Sequence, residues 1–191
     1  MKTYSTQNIR NVVLLGSTKA GKTTLSEAML YEGKVIDRRG TVEGKNTVSD
    51  NAEIEQMNQR SIYATPLYAE FMDTKFNIID TPGADDFVGG AVSAFKVCDL
   101  GVLVVNAQQG VEVGTQIYSR YAKEYDIPLI VAVNQLDGEK ASWETTLESM
   151  KEAFGGKPVV VQYPVTVGPE FDGFIDVLKM KYYRFEGDTG K

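Results

Sequence analysis

The chain of 191 residues is 42% hydrophobic, enough to bury one sizeable core and most simply a single domain. Its 26 acidic and 20 basic residues leave a formal charge of −6, which argues against independent nucleic-acid binding, because phosphate neutralisation needs clustered Lys and Arg. The lone Cys98 cannot form an internal disulfide, no run approaches transmembrane length, and the N-terminal Met1–Thr6 lacks the apolar core of a secretion signal, so a soluble cytoplasmic protein with no membrane partner is expected.

In chain order, the apolar run Ile9–Leu15 predicts a strand that leads directly into Gly16-Ser17-Thr18-Lys19-Ala20-Gly21-Lys22-Thr23, and a helix follows over Lys22–Tyr31. This is G-x-x-x-x-G-K-T between a strand and a helix, the setting of a phosphate-binding loop. Both glycines let the backbone wrap a pyrophosphate and turn its N–H groups inward, where a Cβ would obstruct. Lys22 places a cation on the β- and γ-phosphates, Thr23 offers a hydroxyl to Mg²⁺, and the helix dipole adds to the attraction.

The stretch from Glu32 to Gln59 has no sustained period that would bury a face and reads as a long, mobile loop, either a nucleotide-sensing switch or a plain solvated insertion. Strands over Ile62–Phe71 and Lys75–Asp80 flank Asp73-Thr74, short enough for a hairpin and an antiparallel edge. Asp80-Thr81-Pro82-Gly83 then puts a carboxylate at the carboxyl end of a strand, before a turn. Asp80 can hold the Mg²⁺ shell from the wall opposite Thr23, and the Gly83 N–H can reach a γ-phosphate because no side chain intervenes.

A helix over Phe87–Val97, a strand over Leu100–Asn106 and a helix over Gly114–Tyr125 follow, the last with Tyr118, Tyr121 and Tyr125 as a packed stripe. The strand Leu129–Val133 delivers Asn134-Gln135-Leu136-Asp137 to the carboxyl edge, where open α/β sheets bind ligands. A carboxylate at Asp137 accepts from guanine N1–H and the 2-amino group together, and adenine offers neither donor there, so GTP or GDP is favoured over ATP. A helix over Trp143–Phe154, with Trp143 as a packing anchor, and a strand over Val159–Tyr163 complete an α/β domain of P-loop NTPase type, a mixed, mostly parallel sheet flanked by helices.

These motifs, in this order, resemble the translational GTPases, and most closely those of the elongation factor G type. The resemblance rests on Asn11–Gly16 with Ala20–Leu25, Ile78–Gly83 with Asp86-Phe87, Asn134 and Asp137, and on Gly173–Lys181, which looks like the start of the insert within that family's nucleotide domain. It implies a ribosome-bound factor that moves tRNA and mRNA with GTP and Mg²⁺. Carried over by position, nucleotide contacts fall on Lys19, Ala20, Gly21, Lys22, Thr23, Thr24, Gly83, Asn134, Gln135 and Asp137, and metal contacts on Thr23 and Asp80. Residues 1–156 correspond to the core of the nucleotide domain and 157–191 to the start of the insert. The chain is expected to end before the family's last base-contacting element, a Ser-Ala stretch that Ser93-Ala94-Phe95-Lys96 mimics in letters only, with Glu186–Lys191 a frayed end.

Four positions depart from the pattern. The chain has no histidine, and Ala84 stands where the family places the histidine that positions the attacking water. No catalytic residue is therefore assigned, and hydrolysis is expected to be severely slowed. Arg60-Ser61-Ile62-Tyr63 aligns with R-G-I-T, whose threonine completes the Mg²⁺ shell. Tyr63 matches that position poorly, and either Ser61 or Thr65 would have to serve after a register shift. Lys19 replaces an aspartate near a monovalent cation, as a substitute for that cation or as a solvated loop lysine. Gln135 replaces the lysine of N-K-x-D, so weaker guanine binding with retained specificity is expected. A non-hydrolysing switch module on the ribosome, or a ribosomal-protection factor of the same superfamily, is the alternative.

Overall fold

A computed structural model describes residues 3–155 and 158–185. The expected frayed end at 186–191 and the domain junction at 156/157 lie outside the described residues. Among the described residues, eight strands and five α-helices follow one another: β1 (Ile9–Leu15), α1 (Lys22–Glu32), α2 (Glu53–Asn58), β2 (Thr65–Phe71), β3 (Thr74–Asp80), α3 (Val88–Phe95), β4 (Leu100–Asn106), α4 (Val113–Glu124), β5 (Leu129–Asn134), α5 (Trp143–Phe154), β6 (Gln162–Pro164), β7 (Gly173–Asp176) and β8 (Lys181–Arg184). Short 3₁₀ turns precede β1 and α3.

One sheet has the order β2-β3-β1-β4-β5, with β1 parallel to both neighbours and β2 antiparallel to β3. Val12, Val13, Leu14 and Leu15 are all buried, as a strand covered on both faces requires. On one face Val12, Leu14, Ala69 and Ile78 pack with Leu25 and Met29 of α1 and with Leu67, Phe76 and Val102. Each large side chain so buried contributes roughly 1.5–3 kcal/mol. Elsewhere α3 packs on β1 and α4, and the tyrosine stripe meets it: Phe95 stacks on Tyr125 at 5.9 Å and contacts Tyr121 at 6.4 Å, while Tyr118 is buried.

The chain divides into two compact units, Met1–Val104 with Val113–Ala132, and Val105–Glu112 with Val133–Lys191. The first holds the phosphate loop, the long loop and the D-T-P-G turn. The second holds Asn134–Asp137, α5 and an antiparallel sheet ordered β6-β7-β8. In that sheet Phe174 stacks on Tyr183 at 5.4 Å, and a Cβ at Gly173 would strike the Tyr183 carbonyl, so only glycine lets β7 approach β8 this closely. β8 is an edge strand exposed along its whole length. Trp143, at the start of α5, packs edge-on against Tyr163 at 5.8 Å.

Four expectations need correction. The strand expected over Val159–Tyr163 is confined to Gln162–Pro164 and pairs antiparallel with β7, outside the five-stranded sheet. The segment from Glu32 to Gln59 is not uniformly without structure: it contains α2 and buries Thr47, Ser49, Asp50 and Glu55. Its ordering comes from buried carboxylates that accept backbone N–H groups, which leave no hydrophobic period. The strand expected from Ile62 begins only at Thr65, because the N–H groups of Ile62 and Tyr63 go to Glu55 and not to the sheet. The hairpin turn is Met72-Asp73, one residue earlier than expected, with Phe71 opposite Thr74. Both turn residues have positive φ, +46° and +59°, as a type I′ turn requires.

Neither methionine nor aspartate is well suited to that conformation. Replacing Met72-Asp73 by Asn-Gly should therefore stabilise the chain by about 1 kcal/mol in urea denaturation, with an unchanged m-value.

Candidate functional site

The phosphate loop leaves β1 through Gly16, at φ +141°, where a Cβ would collide with the Val104 carbonyl. Lys19, at φ +64°, and Gly21, at φ +103°, are both left-handed, the kind of backbone conformation from which anion-binding nests are built. Helix α1 starts at Lys22 behind a glycine that brings no side chain of its own to the first turn. The buried Lys22 ammonium folds over the loop and donates to the Gly16 and Ser17 carbonyls at 2.9 and 3.0 Å. Gly83 lies against the same loop, and a Cβ there would strike Lys22 Nζ and the Ser17–Thr18 peptide. Ala20 is buried, whereas Thr24 is exposed on α1.

β3 brings Asp80 to this loop because it pairs in parallel with β1, Leu14 opposite Asp80, and the Thr81 hydroxyl locks the pair by donating to the Leu14 carbonyl at 2.6 Å. Asp80 Oδ2 accepts from the Thr23 hydroxyl at 2.8 Å. Burial drives the Asp80 pKa up to about 6, against the pull of Thr23, nearby Ser49 and the Lys22 charge. Asp80 Oδ1 and Ser49 Oγ are both buried without a hydrogen bond of good geometry. An orphaned carboxylate oxygen beside a buried hydroxyl fits a hard divalent cation, which takes oxygen ligands and would favour the charged carboxylate.

The turn after Asp80 is held by Tyr118, whose hydroxyl donates to the Pro82 carbonyl at 3.0 Å and whose pKa is pushed up to about 12 by burial and by Asp85. Ala84 follows, half-buried, then the exposed Asp85 and Asp86. Its methyl group neither donates nor accepts a hydrogen bond.

Two buried glutamates organise the long loop. Glu27 of α1 accepts the N–H groups of Gly40 and Val48 at 2.7 and 2.6 Å. Glu55 of α2 accepts from Ala52, Ile62 and Tyr63 at 3.2, 2.9 and 3.0 Å. The Tyr63 ring is left 57% exposed, while Ser61 Oγ comes within 3.2 Å of Thr23 Oγ1. Asp50, also buried, has a raised pKa, from burial first, opposed by a hydrogen bond from Ser61 and raised further by Glu55. Sequence reasoning missed Glu27, Asp50 and Glu55, since an acidic residue in a polar stretch carries no mark that it will be buried.

In the second unit, β5 ends at Asn134, whose carbonyl accepts from Ala107 N at 2.9 Å. Gln135 is left-handed at φ +58°, and its Oε1 accepts from Asn106 Nδ2 at 2.9 Å, so the amide is tied to the end of β4. The turn closes with Gly138 N donating to the Gln135 carbonyl, and Gly168 N donates to the Leu136 carbonyl at 2.7 Å. Asp137 is exposed at this turn.

The family model for the elongation factor Tu GTP-binding domain matches residues 7–188. Among curated proteins, an elongation factor G-like protein of Thermotoga maritima is 36% identical over 182 residues, 95% of this chain and 26% of that protein. Elongation factor G of Mycoplasma genitalium is 32% identical over 187 residues, 98% of this chain and 27% of that protein. A crystal structure of a protein from Thermus thermophilus superposes with a TM-score of 0.87 at 32% identity, covering 94% of this chain and 27% of that one. The chain thus spans about a quarter of the length of the curated relatives it matches.

A folded-state Asp80 pKa of about 6, above its ordinary 3.8, means that the folded chain binds the proton more tightly than the unfolded one. In the absence of a divalent cation, the contribution of Asp80 to stability should be largest below pH 4, fall through the window from about 4 to 6, and level off above it. The total change is on the order of 1–3 kcal/mol. Asp80→Asn should flatten this profile and stabilise the cation-free chain at pH 7.5 by a similar amount, which urea titrations at several pH values would read directly.

Proposed function

The chain belongs to the family of the elongation factor Tu GTP-binding domain, and from that premise we propose that it is the guanine-nucleotide-binding domain of an elongation factor G-like translation factor, cytoplasmic and acting on the ribosome as part of a longer protein. The observation that carries this reading is the buried Thr23–Asp80 hydrogen bond set against a left-handed, glycine-lined phosphate loop. Lys22 would hold the β- and γ-phosphates, with Ala20, Gly21 and Thr24 in the surrounding loop and first turn. Thr23 and Asp80 would hold Mg²⁺, which when bound neutralises phosphate charge. Gly83 would sense the γ-phosphate, and Asn134 with Asp137 would read guanine. Residues 1–156 form the core in this reading, and 157–191 begin the insert.

The chemistry at Ala84 favours a second reading, a GTP-binding switch that hydrolyses slowly or not at all. Without a group to position water, general-base assistance worth roughly 10²–10⁴ in rate is lost. The loop also has internal anchors in Glu27 and Glu55, whose carboxylates accept its backbone N–H groups.

Calorimetric titration with GDP, GTP and ATP in Mg²⁺ tests the shared core of both readings: guanine nucleotides should bind and ATP should not, and equal binding of ATP would remove the base assignment. Asp137→Asn exchanges an acceptor for a donor and should move preference from guanosine to xanthosine nucleotides by at least tenfold, about 1.4 kcal/mol. Ala84→His in the full-length factor should raise ribosome-stimulated phosphate release by about 10²-fold or more if only the water-positioning group is missing. No gain would favour the non-hydrolysing switch.

A further inference from the structure

We propose that Ser61 supplies the divalent-cation ligand from the segment between α2 and β2, in place of residue 63. This rests on the reading of Thr23 and Asp80 as the metal site. Glu55 sets the register: by accepting both the Ile62 and Tyr63 N–H groups, it fixes the backbone so that Ser61 faces α1 while the Tyr63 ring stands in solvent. Thr65, the other hydroxyl in reach along the sequence, is committed elsewhere, donating to the Ser49 carbonyl at 3.2 Å.

Thr23 gives its proton to Asp80 Oδ2 at 2.8 Å, and Ser61 hydrogen-bonds to the Asp50 carboxylate, which can only accept. The two hydroxyl oxygens lie side by side at 3.2 Å, next to the Asp80 carboxylate. Neighbouring ligands of an octahedral Mg²⁺, each at about 2.0–2.1 Å, lie about 3 Å apart, close to the separation seen here. Asp80 Oδ1, buried and without a hydrogen bond of good geometry, is a third oxygen of this group. Asp50 acts through Ser61 as a positioning residue, orienting its hydroxyl and increasing the negative potential at the oxygen.

The test uses the nucleotide-loaded chain and Mn²⁺ as a paramagnetic probe, with bound metal read by electron paramagnetic resonance. Ser61→Ala should weaken Mn²⁺ binding about tenfold, Ser61→Thr should restore it, and Tyr63→Phe should leave it unchanged. Ser61→Cys keeps the side-chain volume and gives a second route if the alanine variant does not fold. It should bind Mg²⁺ poorly and regain affinity with Cd²⁺, because thiolate prefers a soft metal, and a merely structural serine would show no such exchange of preference. Wild-type Mn²⁺ affinity in Ser61→Ala, alongside a loss in Thr23→Ala, would overturn the assignment of Ser61 and leave the metal site standing. Unchanged affinity in both variants would overturn the metal site itself and the ligand with it.

Discussion

The parallel pairing of β1 with β3 is the constraint from which the site follows. Because Leu14 lies opposite Asp80, the two strands release their following residues at one edge of the sheet, β1 into the phosphate loop and β3 into the D-T-P-G turn. The Thr81 hydroxyl fastens the last rung to the Leu14 carbonyl, where a slip of one residue would turn every side chain of β3 to the opposite face. Thr23 and Asp80 therefore meet although 57 residues separate them, and Gly83 reaches the loop without a linking side chain.

A second layer of order is electrostatic and local to the backbone. Glu27 and Glu55 are each about 1% exposed, yet both spend their charge on peptide N–H groups. Hydrogen bonds to an ionised acceptor are worth roughly 1.5–3 kcal/mol each, more than neutral ones, and removing the acceptor strands the donors. The same two carboxylates help to raise the Asp50 pKa, so the fold concentrates negative charge near Lys22 and the Thr23 and Ser61 hydroxyls. A region of this sign is suited to a hard cation with oxygen ligands.

How much of this was legible depended on the range of the interaction. β1, β4 and α5 match their expected bounds because each carries its own period or apolar run. G-x-x-x-x-G-K-T, D-T-P-G and N-x-x-D are local motifs, and the structure places the first two together. α2 was missed because six residues, Glu53–Asn58, are too few to show a period, and β7 and β8, at four residues each, were too short to stand out. Ser61 and Thr65 could not be separated in the sequence, since what distinguishes them is a carboxylate six residues upstream of Ser61 that captures two peptide N–H groups. The left-handed conformation of Lys19 was equally hidden, because a lysine carries no signal for positive φ.

β8 has a consequence of a different kind. As an exposed edge strand it offers unpaired backbone groups to any other strand that approaches, and Tyr182 and Tyr183 at its centre would favour such pairing. Lys181 and Arg184 stand at its two ends as gatekeepers, but Arg184 is partly neutralised by Asp172 at 3.0 Å. Among the described residues of β8, Lys181 is then the cationic group left to oppose edge-to-edge pairing.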